Sequence, residues 1–114
     1  MRKTNENSFE WSYFLDDNKK DTLTIKYIIS ESEKKVIEFV IIYTTLIEEV
    51  PKEVIKYDVS QKERMHAHYG YHTPPKKVFM EREVSIETVL ELVEYIEKNW
   101  RKMKLKFMEK ESII

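Results

Sequence analysis

Cysteine is absent from the 114 residues. That excludes disulfides, thiolate metal sites and cysteine nucleophiles together, and it fits a reducing compartment or a hot one. Glycine occurs once, at Gly70. Loops that cradle phosphate in P-loop and dinucleotide-binding proteins need several glycines, so both are excluded. Turns must instead rest on Asp, Asn, Ser, Lys and Pro. Long apolar runs are missing too. The longest, Phe39 to Tyr43, has 5 residues, far short of the ~20 a membrane-spanning helix needs. Met1 to Asn7 is polar, with no apolar segment behind it, so no secretory leader is expected and the expected location is cytoplasmic, away from membranes. The formal net charge of −1 gives no general pull on nucleic acid.

What is present is a charge-rich chain, 36% Asp, Glu, Lys and Arg, whose apolar residues fall in patterned blocks. The blocks carry 7 Tyr, 5 Phe and 2 Trp, so a packed core rather than disorder is expected. The length suits a single domain spanning residues 1–114. The abundance of Lys, Glu and Ile resembles thermophile usage.

The first part alternates with period two and predicts strands over about residues 8–82. Phe9, Trp11 and Tyr13 share one face of a first strand, and Asp16 to Asp21 is a polar turn. Leu23, Ile25, Tyr27 and Ile29 alternate with polar residues. Val36 to Ile47 is apolar on both faces and reads as a central strand. Pro51 is expected to break the next segment, with a strand resuming at Val54. Met65 to His72 and Lys77 to Glu81 supply the last two strands. A helix is predicted over about 86–109, with Ser85 as N-cap and Val84 and Val89 as a hydrophobic staple. Its apolar stripe runs Ile86, Val89, Val93, Ile96, Trp100, Met103, Phe107, widened by Leu90 and Leu92. The expected fold is α+β: one twisted antiparallel sheet of five to six strands against a long C-terminal helix.

All three histidines lie between Arg64 and His72. On a strand, His66, His68, Gly70 and His72 share one face, and Met65, Ala67, Tyr69 and Tyr71 the other. If Val59 pairs with Met65, Asp58 falls opposite His66 and Lys56 opposite His68. Glu38 on the neighbouring strand faces the same way. Three readings compete. One is a solvated polar face with Asp58 as a cross-strand partner. The second is acid–base catalysis. His66 or His68 acts as base or acid, Asp58 orients it, and Lys56, Arg64 and His72 contact the substrate. That set suits RNA cleavage, where the 2′-hydroxyl is an internal nucleophile and no metal or other cofactor is required. The third is a metal site using His66, His68 and Asp58. Lys76 and Lys77 add to anion contact if they face the same groove.

The segment Ile55-Lys56-Tyr57-Asp58, the histidine strand, Lys76-Lys77 and Glu97-Lys98-Asn99-Trp100 on the closing helix together resemble the TumE toxin family of TumE–TumA toxin–antitoxin systems. The resemblance covers about Val54 to Phe107. It implies an α+β fold and a toxin that acts on RNA and is neutralised by an antitoxin partner. It places the family's arginine-tyrosine-aspartate-like segment on Lys56, Tyr57 and Asp58 and its histidines on His66 and His68. Lys56 stands where that family would have arginine. Against the ribonuclease-like hydrolase stand two alternatives. One is a non-enzymatic homodimer joined through the long helix or the Val36–Ile47 strand edge; the other is a small-molecule or metal-binding domain.

Overall fold

The computed structural model describes residues 6–72 and 74–111. Among these residues six strands follow one another in chain order, each antiparallel to the last: β1 Glu6–Phe14, β2 Asp21–Ser30, β3 Lys35–Ile47, β4 Val50–Val59, β5 His66–Tyr69 and β6 Lys76–Phe79. One helix, α1 Ile86–Lys110, closes the chain. The architecture is the α+β arrangement that the periodicities predict.

Alternation in the strands explains the layering. Leu23 and Ile25 of β2, Phe39, Ile41 and Tyr43 of β3, Ile55, Tyr57 and Val59 of β4, and Ala67 of β5 are buried on one face. Val89, Leu92, Ile96, Trp100, Met103 and Phe107 of α1 are buried with them. The helix lies over β3 and β4. Its first turn is fixed by Ser85, whose side chain accepts from the Thr88 amide and so satisfies an otherwise unpaired donor. Leu90 was expected to widen the buried stripe but is 58% exposed. It sits on the flank of a helix whose buried arc is narrower than the stripe in sequence.

The hairpins show how a chain with one glycine turns. Lys19, Lys34, Glu48 and Glu49 take φ of 60°, 55°, 51° and 64°, the left-handed region that side chains resist. At the β3–β4 turn both central residues, Glu48 and Glu49, are there, as the tight two-residue hairpin demands. That turn corrects the expectation at Pro51. The proline does not interrupt the strand; it sits inside β4, opposite Leu46.

Other expectations also need correction. β5 stops at Tyr69 rather than running to His72, and β6 is Lys76–Phe79 rather than Lys77–Glu81. β3 has β2 on one side and β4 on the other, so its edge is not available for a dimer. Register shifts at Ile28/Ile29 and Tyr43/Thr44 mark bulges that sharpen the sheet's twist.

Candidate functional site on the outer sheet face

The pairing register builds two rows across the sheet face turned away from α1. One runs Glu10, Lys26, Val40, Asp58, His66, Phe79; the next runs Ser12, Thr24, Ile42, Lys56, His68, Lys77. Asp58 stands opposite His66 and Lys56 opposite His68, the register that the apolar pattern of β4 and β5 requires. An open depression of about 320 Å³ adjoins the first row and is lined in part by Lys26, Glu38, Val40, Asp58 and Ser60.

His66 lies on this outer face yet is 2% exposed, which corrects the reading of it as a solvent-facing group. Its ring is flanked edgewise by His68, with centroids 4.8 Å apart, and by Phe79 at 5.8 Å. Its Nδ1 lies 2.8 Å from the Arg64 carbonyl, so Nδ1–H donates there. Nε2 then faces Glu63 Oε1 at 3.7 Å and Asp58 Oδ2 at 3.9 Å, both beyond hydrogen-bond reach. A ring so enclosed cannot touch a substrate. Its Nδ1–H ties the ring to the segment before β5, and the ring packs edgewise on His68.

His68 is only partly buried. Its imidazole is held below the ordinary histidine pKa, first by burial and then by the positive field of His66, Lys56 and Lys77, with Glu53 opposing. Lys77 is opposite His68 in the register and is tied to Glu63 by a short ion pair. That contact holds the Glu63 carboxyl below its usual range. The arrangement is thus a neutral imidazole between two lysines from neighbouring strands.

The structure brings together Asp58, His66, His68 and Lys56. Arg64 is close but differently used: its guanidinium lies over the Phe79 ring at 4.4 Å. His72 is not part of the group. It follows the end of β5, in a turn, against Tyr69 and Tyr71 at centroid distances of 5.4 and 5.1 Å. The period-two rule failed there because the strand stops. Lys77 joins the row, whereas Lys76 pairs with Tyr69 and belongs to the other face. Sequence reasoning missed Glu63 and Phe79. Phe79 was detectable by continuing the register into β6, since it must fall opposite His66; Glu63 lies in a loop and had no periodic signal. Among the described residues no three His, Asp or Glu side chains form a group able to hold a metal ion.

Among the described residues, no helix is long and apolar enough to cross a membrane. The family described as Domain of unknown function (DUF7718) matches residues 1–113. No curated protein and no solved structure matches the chain.

Proposed function

We propose, for a chain that belongs to the DUF7718 family of domains of unknown function, that the outer sheet face binds single-stranded RNA and cleaves it by acid–base chemistry centred on His68. One observation carries this reading: a partly exposed imidazole, held neutral near pH 7, stands between Lys56 and Lys77 on adjacent strands. The lysines supply positive charge for a phosphodiester, and the imidazole accepts a proton. The 2′-oxygen bonds to phosphorus as His68 takes the 2′-hydroxyl proton. The bond from phosphorus to the 5′-oxygen breaks, water at the open face protonates that oxygen, and the resulting hydroxide takes the proton back from His68. The products are a 2′,3′-cyclic phosphate and a 5′-hydroxyl. His66, packed edgewise on His68, acts as a positioning residue, and Asp58 contributes negative charge opposite it. The TumE resemblance adds a context, a toxin restrained by a cognate antitoxin.

The test is incubation with a labelled single-stranded RNA of mixed sequence. Cleavage to cyclic-phosphate ends is expected, with a loss of about 10²-fold or more in His68→Ala, the range for a general base. A fully 2′-deoxy strand should survive. Equal cleavage by wild type and His68→Ala would exclude this site. Growth arrest on expression, relieved by the same substitution, tests the toxin context separately.

A further inference from the structure

The two edges of the sheet are built differently. β6 has four residues, two of them lysines, and Pro74-Pro75 precede it; short length, lysine and proline blunt an edge against pairing. β1 has nine residues and contains no proline, glycine or lysine. It carries Phe9 at 43% and Trp11 at 41% exposure, both packed on one side against Tyr27. The free backbone groups of β1 can be assigned. The Leu15 amide donates to the Asp21 carbonyl at 2.7 Å, one step beyond the Phe14–Thr22 pair. Bonded and non-bonded pairs alternate in an antiparallel ladder. Phe9, Trp11 and Tyr13 therefore bond to β2, and the amides and carbonyls of Ser8, Glu10 and Ser12 point out of the edge.

The sequence around Glu10 reads Ser-Phe-Glu-Trp-Ser: serine, aromatic, glutamate, aromatic, serine, the same in kind from either end. We propose that β1 pairs antiparallel with β1 of a second copy of this chain about a two-fold axis at Glu10, giving one continuous twelve-stranded sheet. In that register the outward groups of Ser8, Glu10 and Ser12 meet those of Ser12, Glu10 and Ser8. Phe9 falls opposite Trp11 of the second copy on the α1 side, in the closer, non-bonded pairing that favours aromatic contact. The two Glu10 carboxylates come together, but each has its own Lys26 at 3.9 Å, so the four charges cancel. The contact is isologous and closed, and it covers the edge that is left open among the described residues.

The absence of native cysteine gives a direct readout. Residue 10 lies opposite itself at a bonded pair, where Cα atoms are about 5.5 Å apart, within disulfide range. Glu10→Cys should form a covalent dimer under mild oxidation, while Glu53→Cys, elsewhere on the surface, should not. Sedimentation of the wild-type chain should give twice the chain mass at tens of micromolar. Ser12→Pro removes an amide that points outward and spares the β2 ladder, so it should weaken dimerisation at least ~10-fold with an unchanged circular-dichroism spectrum. Trp11→Lys, which leaves the backbone intact, should do the same and covers the case in which the proline disturbs folding. A wild-type chain that stays monomeric to ~200 µM would overturn the proposal. So would a dimer that neither substitution weakens, because its contact would lie elsewhere, such as on α1.

Discussion

At the residue scale the informative positions are those where a side chain sits against its own preference. His68 is one. Its folded pKa is below the unfolded value of about 6.5, so between the two values the unfolded chain binds more protons. Its contribution to stability is therefore whole above pH ~6.5 and is lost as pH falls through the folded value. Urea melts across pH 7.5 to 5 should show stability declining in that window, and His68→Gln should flatten the decline. In the RNA-cleavage reading, the acid limb of the pH–rate profile should fall below pH 6.5 for the same reason. Glu49 is another such position, with φ of 64° in a two-residue hairpin. Left-handed backbone costs a side chain about 1–2 kcal/mol, so Glu49→Gly should raise stability by about 1 kcal/mol in denaturant titration. Glycine's own unfolded-state entropy offsets the rest. These strained turns were not legible in sequence, because the usual Asn-Gly signal is absent and glutamate does not announce a hairpin.

At the scale of elements, strand identity and helix position were readable, because burial on one face forces periods of two and of three to four. Strand ends and bulges were not. The shift at Tyr43/Thr44 pairs Tyr43 with Ile55 but Thr44 with Glu53, which makes Val54 the extra residue. Val54 and Ile55 are then both fully buried, a breach of alternation that reads in sequence as a stretch without pattern. The Val54 carbonyl is recovered by the Gly70 amide at 2.8 Å. That close approach is what the only glycine serves: a Cβ at residue 70 would stand 2.5 Å from the Glu53 oxygen and 2.9 Å from the Val54 oxygen, both backbone. Gly70→Ala should therefore cost about 1–3 kcal/mol, the range for forced overpacking, read as a lower melting temperature. The same substitution should also disturb the cap that Lys110 makes on the Gly70 carbonyl at 2.8 Å. The candidate site was legible to the extent that it rests on register: Asp58 against His66 and Lys56 against His68 follow from the apolar pattern alone. The enclosure of His66 was not, since it comes from a loop carboxylate and a ring on a strand whose limits the sequence leaves open.

At the scale of the whole molecule, the sheet and the helix are joined by more than apolar packing. Asp21 begins β2 with a side chain 1% exposed, a burial that an unpaired carboxylate could not sustain. It accepts from the Tyr43 hydroxyl at 2.7 Å and from Lys104 Nζ of α1 at 3.0 Å, while its amide donates to Asp16 Oδ1 at 2.9 Å. Burial first, then the Asp21 carboxylate, pushes the Tyr43 phenol above its ordinary range, so it remains a donor at any physiological pH. Tyr43 also meets Trp100 edge to face at 6.2 Å. One carboxylate thus fixes where the second half of α1 sits on the sheet. Of the cations between Lys98 and Lys106, Lys104 is the one that pairs with this buried carboxylate, while Arg101 and Lys106 lie over the Trp100 and Tyr71 rings. Asp21→Ala leaves a buried hydroxyl and a half-buried ammonium without a partner, and should cost about 3–5 kcal/mol, the range for breaking a buried pair from one side. Asp21→Asn keeps an acceptor for Tyr43 and should cost less. Lys104→Met in the Asp21→Ala background removes the orphaned charge and should restore part of the loss. In a double-mutant cycle this gives a coupling above ~1 kcal/mol. Strictly additive losses would show that the two side chains act independently and that apolar contacts alone seat the helix.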